Sequence, residues 1–473
     1  MSSRGGPTHN GVWQFSSQPT QRHGSHPDGS KSQLAGHRKP RFEPRFQVVI
    51  ACFLATLTMY FERVGFSIAY TAMAKEAAVD EAVKGTVLSA FYWGYGLSQV
   101  PGGWAAQRYG GDRMLSLSFF CWSLASLLTP GSARNSQTII AARVLVGVAQ
   151  GFLIPSVHTV LSQWIPPTER ARSVSLTTSG MYLGSAVAMQ LLPAVAAAWG
   201  PASLLRVVGA LGLAWLLGWR ALMRQMSRRQ AAHGMPLSQG HPAAPQQGAT
   251  AKGRPAATPW RRMMVHPAVW AIVVNNFTFH YAFYVVMNWL PTYFDKVLHA
   301  NLASMGLIKT LPYLVMFAAS NAGGWAGDYL INVRHTSVAG GRKWVNTFGF
   351  WGAAAALMLM PGATSISRGV AFTTLALGLC GFSRGGFSVN HMDIAPRFAG
   401  VVMGISNTAG TLSGVIGVAV TGQMLQRAGG AEHVLGWYQA MATSAVQCVG
   451  GSFIFLLFAR GERLFGGDTA DFQ

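Results

Sequence analysis

The run FQVVIACFLATLTMYFERVGFSIAYTA, residues 46–72, contains only two formal charges, Glu62 and Arg63. About 20 consecutive, mostly apolar residues suffice for a helix to cross the hydrocarbon core of a bilayer. A barrel strand needs only about 10, and lipid tolerates no other backbone, because every N–H and C=O must be satisfied internally. The run therefore predicts a spanning helix. Eleven more of similar character follow, at about 84–106, 114–131, 138–160, 173–198, 202–222, 266–290, 303–326, 344–362, 369–390, 398–424 and 435–459. The expected fold class is an all-α membrane protein with twelve transmembrane helices.

Composition agrees. Half of the 473 residues are hydrophobic and 11% are charged, against about 25% in soluble domains. The net charge of +21 could suggest nucleic acid, but its distribution argues otherwise. With both termini on the cytosolic side, 25 of the 36 Lys and Arg residues fall in cytosolic segments and eight on the opposite side. The other three, Arg63, Arg143 and Arg384, lie inside spans. This asymmetry is the positive-inside pattern and leaves no basic surplus for a nucleic-acid partner.

The chain also looks duplicated. Gly102-Gly103-Trp104-Ala105 closes the second span and Gly323-Gly324-Trp325-Ala326 the eighth, equivalent places in two halves of six. Such halves suit rocking about a midplane site. The expected organisation is a basic tail at 1–45, a six-helix half at 46–222, a cytosolic linker at 223–264, a pseudo-symmetric second half at 265–460 and a tail at 461–473. Residues 1–45 read equally as an organelle transit sequence or a disordered cytosolic tail. Cys52, Cys121, Cys380 and Cys448 are widely spaced within apolar runs and read as small buried hydrophobes.

Ionisable groups within spans are costly and mark function. In the first span Thr56, Tyr60, Arg63, Ser67 and Tyr70 step by three or four and form one polar face. Arg63 at its centre offers a planar fork of donors suited to phosphate or carboxylate. The alternative is an ion pair, with Glu62 or another helix. In the fourth span Arg143, Gln150 and His158 share a face, and Arg143 either binds an anion or holds a second helix. In the tenth, Arg384, Ser388 and His391 align. Arg384 either meets Asp393 or Glu62 or awaits an anion, since an unpaired buried guanidinium is expensive. In the seventh, Asn276, His280 and Tyr284 share a face, poised to contact a solute or to join helices. No nucleophile–base pair, metal cluster, phosphate-cradling loop or paired-carboxylate site is visible, so neither an enzyme nor a resident cofactor or metal is expected.

Several longer runs are similar to the anion:cation symporter family of the major facilitator superfamily, which includes plastid phosphate transporters, vesicular glutamate transporters and sialin. They are Glu62–Ala69 (ERVGFSIA), Phe91–Trp104 (FYWGYGLSQVPGGW), Trp164–Ser173 (WIPPTERARS), Trp289–Phe294 (WLPTYF), Asn390–Gly400 (NHMDIAPRFAG) and Gly404–Gly414 (GISNTAGTLSG). The resemblance spans roughly residues 46–465 and looks closest to the plant phosphate branch. It implies anion-binding or gating roles for Arg63 and Arg143. The chain departs from the family at four places. Gln150 replaces an acid, Leu88 a histidine, Phe279 an arginine, and Gln107 the acid of the loop after span 2, while Asp328 keeps its counterpart.

The resulting expectation is a secondary active transporter of a small anion, inorganic phosphate first, working by alternating access with Na⁺ or H⁺ as a co-transported cation. The alternatives are an organic-anion carrier for ascorbate, glutamate or another carboxylate, and a non-transporting anion sensor. Substrate contacts are expected at Arg63, Arg143, Arg384, His280 and Tyr284. Coupling or gating is expected at Glu62, Gln150, His158, Asp328, His391 and Asp393. The protein is expected to be a monomer in a plastid or other organelle membrane, or otherwise in the plasma membrane.

Overall fold

The structure, a computed structural model, describes residues 44–232, 257–300 and 310–465. Residues 1–43, most of the expected linker and the end of the C-terminal tail lie outside the described residues. Within them all regular structure is helical. The first half comprises α1 (Pro44–Glu76), α2 (Glu81–Tyr109), α3 (Gly111–Leu128), α4 (Ser136–Gly151), α5 (Leu153–Trp164), α6 (Arg170–Trp199) and α7 (Ser203–Ala232). A short α8 (Trp260–Val265) precedes the second half. That half comprises α9 (Pro267–Lys296), α10 (Leu311–Asn332), α11 (Val338–Leu359), α12 (Ile366–Ile394), α13 (Ala399–Arg427) and α14 (Val434–Phe458). With α4 and α5 counted as one interrupted segment, these are twelve spans.

The periodicity predicts one helix over 138–160 for the fourth span, but the span breaks at Phe152. Pro155 explains the break. It has no N–H to give the carbonyl of Gly151, and its ring crowds that carbonyl. Elsewhere polar caps start the helices. Asn135, Ser337 and Ser365 accept hydrogen bonds from Thr138, Gly340 and Arg368 N–H at the heads of α4, α11 and α12, each satisfying a donor that the first turn leaves free. Helix α7 continues past the expected span end at residue 222 to Ala232.

Among the described residues, eight segments have both the length and the apolarity of a membrane span by themselves. The four that fall short are α2, α3, α10 and α11, the second and third spans of each half. Their inner ends, which meet at short connections, carry Arg108, Asp112 and Arg113 in one half and Asp328, Arg342 and Lys343 in the other. The shortfall is thus itself duplicated.

Close packing of the glycine pairs extends the symmetry. A Cβ on Gly102 or Gly323 would strike a neighbour in its own half, Phe152 or Phe382. A Cβ on Gly103 or Gly324 would strike the opposite half, at the backbone of Gly400 or at Ala171 and Ser175. In each pair the first glycine packs its half together and the second lets the two halves meet, as small residues do where helices approach closely.

Candidate functional site

Between the halves lies a cavity of about 520 Å³. Its walls are Tyr60, Arg63 and Ser67 of α1, Tyr92 of α2, Ser185 and Met189 of α6, Tyr284 and Asn288 of α9, and Tyr313 of α10. All belong to the halves of their helices remote from the face where α1 begins. The cavity therefore opens on that remote, outer face, while the inner face is closed. Three members of the polar face expected on α1 line it. Thr56 and Tyr70 do not, and both are buried among neighbouring helices.

Arg63 is half-buried at the cavity wall. Its Nε donates to Gln150 Oε1 at 3.0 Å. Aromatic rings of Tyr60, Phe91 and Tyr95 surround the guanidinium, with centroids 4.4–4.8 Å from Cζ, close enough for cation–π attraction. No carboxylate pairs with it among the described residues.

Glu62, the adjacent residue, points elsewhere. Its carboxylate is buried, accepts from Arg143 Nη1 at 2.6 Å and from Gln150 Nε2 at 2.8 Å. Arg143 also stacks on Phe66 at 3.8 Å. Arg143 does not line the cavity; its pair with Glu62 of α1 corresponds to the alternative expectation, a contact that holds a second helix. Gln150 links the two systems. Its oxygen holds Arg63 and its nitrogen holds Glu62, so a neutral amide orients Arg63 without cancelling its charge.

Arg384 lies deeper. It is 3% exposed, its Nη1 is 3.4 Å from Tyr182 Oη, and its Cζ sits 4.8 Å from the Phe279 ring centroid. Its Nε is buried without a partner. Neither expected carboxylate reaches it: Glu62 serves Arg143, and Asp393 serves Arg342 at 2.9 Å and Arg170 at 3.7 Å. His280 and Tyr284 lie over Gly410 and Gly414 of α13, where any side chain would collide with their rings. Tyr284 lines the cavity.

The other expected gating residues assemble the inner closure. His391 of α12 and His158 of α5 meet across the halves, Nε2 to Nδ1, at 2.7 Å. Asp328 of α10 accepts from the backbone N–H of Ala171 and Arg172 at 3.2 and 3.0 Å. A carboxylate from one half thereby caps the first turn of α6 in the other, where dipole and charge agree. Arg170 reaches back to the Met392 carbonyl at 3.0 Å. The duplicate of Asp328's position holds Gln107, which instead accepts from Thr258 Oγ1 at 3.2 Å. Among the described residues, a carboxylate thus caps the opposite half at Asp328, whereas the duplicated position offers a neutral amide.

Sequence reasoning missed a second seam. Asn407 of α13 donates to Tyr95 and Gln99 of α2, and Gln99 donates to Thr411 at 3.0 Å. The signal is present in the chain, since Tyr95 and Gln99, and likewise Asn407 and Thr411, stand four apart and so share a helix face. Arg170 and Arg342, which count only as loop charges in the sequence, also belong to the closure.

Residues 52–418 match the family model described as Major Facilitator Superfamily. The chain is 47% identical over 429 residues to "Probable anion transporter 6" of Oryza sativa subsp. japonica, covering 90% of this chain and 100% of the relative. It is 35% identical over 424 residues to "Sodium-dependent phosphate transport protein 1, chloroplastic" of Arabidopsis thaliana, covering 89% and 80%. Its fold resembles that of the proton:xylose symporter XylE bound to 6-bromo-6-deoxy-D-glucose, with a TM-score of 0.66 at 14% identity, covering 89% and 97% of the two chains.

Proposed function

The chain belongs to the Major Facilitator Superfamily, and on that premise we propose that it is a secondary active transporter of a small anion, inorganic phosphate, working by alternating access. The carrying observation is Arg63, a permanent cation at the wall of the inter-half cavity with an amide rather than a carboxylate as its polar partner. Its fork of donors matches an oxyanion, and a lone positive charge in a low-dielectric cleft attracts one. Relatives named for anion and phosphate transport support the same reading.

In this mechanism the anion enters from the outer face and completes the coordination of Arg63. The halves then rock, the seams at His158–His391, Asp328–α6 and Asn407–Gln99 part, and the deeper Arg384 receives the anion on its way inward. Na⁺ or H⁺ supplies the driving gradient. A plastid envelope fits the chloroplastic relative.

A second reading, an organic carboxylate, draws on the cavity itself. At about 520 Å³, with four tyrosines in its wall, it has room for a larger, partly apolar solute. Uptake of radiolabelled phosphate into proteoliposomes under imposed Na⁺ or pH gradients tests the first reading. A panel of unlabelled ascorbate, glutamate and phosphate as competitors decides between them. Absence of phosphate uptake under either gradient rejects the proposal.

A further inference from the structure

His280 of α9 lies one helical turn inward of Tyr284, a residue of the cavity wall, and near both unneutralised cations of the pathway. The charges of Arg63 and Arg384 both reach its ring. On its outer side Tyr284, with ring centroids 5.8 Å apart, forms part of the cavity wall. The imidazole is half-buried and held in one orientation, with Gly410 against its face and Nδ1 2.8 Å from the Asn276 carbonyl oxygen.

That contact decides the tautomer. A carbonyl oxygen only accepts, so Nδ1 carries the hydrogen and donates it. Nε2 is left with a lone pair and has no partner among the described residues. A hydrogen on Nε2 as well would add a third positive charge beside two guanidinium groups, with no carboxylate bonded to the ring to offset it. The pathway thus contains donors that bind bare oxygen atoms and, in His280, an acceptor of fixed orientation that does not.

Building on the anion-transport reading, we propose that His280 is a specificity residue that recognises a protonated oxyanion. Its Nε2 accepts a hydrogen bond from a hydroxyl of H₂PO₄⁻ or HPO₄²⁻ while the Arg63 fork binds the unprotonated oxygens. Sulfate and carboxylates carry no such hydrogen at neutral pH. They would set a lone pair against the lone pair of Nε2, and a site built to accept from a substrate OH discriminates against analogues lacking it.

The test is competition against radiolabelled phosphate uptake in proteoliposomes, at one fixed pH. Arsenate, which carries a proton as phosphate does, competes about as well as unlabelled phosphate. Sulfate competes at least about tenfold less well, the cost of one unmade buried hydrogen bond. In His280→Gln the amide can turn its NH₂ toward the anion, so the sulfate-to-phosphate gap narrows by about tenfold. A purely structural role for His280 would lower the rate without moving that ratio.

The wild-type comparison needs no variant to fold. Equal competition by sulfate in wild type, or an unchanged ratio in His280→Gln, overturns the inference while phosphate transport stands. A wild type that transports neither phosphate nor arsenate removes the anion reading, and this inference with it.

Discussion

Replacing Gln150 by Glu places a carboxylate where an amide oxygen now lies 3.0 Å from Arg63 Nε. Two opposite charges about 4 Å apart attract by about 4 kcal/mol at an effective dielectric constant of 20. Water in the adjacent cavity reduces this, leaving on the order of 1.5–3 kcal/mol that an incoming anion must overcome, or roughly 10- to 100-fold in affinity. The new group would also lie within hydrogen-bonding distance of Glu62, since Gln150 Nε2 is 2.8 Å from Glu62 Oε2. Two adjacent carboxylates resist joint ionisation, so one of them takes up a proton more readily than an isolated acid. Once protonated, the introduced carboxyl can donate to Glu62 as the amide does now, and Arg63 is freed. The sign follows: Gln150→Glu raises the KM for phosphate above neutral pH and the defect shrinks as pH falls, whereas wild type lacks this pH-dependent component. The assay is concentration-dependent uptake in proteoliposomes over a pH series with equal internal and external pH. An unchanged KM across that series would refute the role assigned to Gln150.

Three further outcomes follow from the same geometry. Arg143→Ala or Glu62→Ala strands a buried charge and lowers stability by about 3–5 kcal/mol, while the double variant recovers part of the loss; thermal unfolding in detergent measures both. Asp328→Asn weakens the charge-assisted bonds to the head of α6 and shifts the population toward opening of the inner face by about 1–3 kcal/mol, which spin-label distances between the inner ends of α6 and α10 report. Gly324→Val drives a side chain into Ala171 and Ser175 of α6, so single cysteines introduced at the inner ends of α6 and α10 become more accessible to labelling and uptake falls.

The two-half architecture was legible because its signals are local and repeated: long apolar runs, basic inner loops and the duplicated Gly-Gly-Trp-Ala. The break at Phe152 had its cause in view, in Pro155, but a periodicity running through 138–160 masked it. The site was less legible for a different reason. Glu62 and Arg63 are neighbours in sequence, yet successive residues of a helix point about 100° apart, and only the placement of α4 decides that Glu62 meets Arg143 while Arg63 meets the cavity. The partners are 81 residues apart, beyond any spacing rule. Asp393 shows the same limit. It lies near Arg384 in sequence but bonds to Arg342 and Arg170, leaving Arg384 without a carboxylate.

The most direct measurement is phosphate uptake by Arg63→Lys and Arg63→Ala beside wild type, in proteoliposomes matched for protein content and fold. A free guanidinium that completes its coordination with the anion predicts loss of about 10²- to 10⁴-fold in kcat/KM for Ala, from two charge-assisted hydrogen bonds, and partial recovery for Lys, which keeps the charge but not the fork. Uptake by Arg63→Ala at the wild-type rate and KM would contradict it.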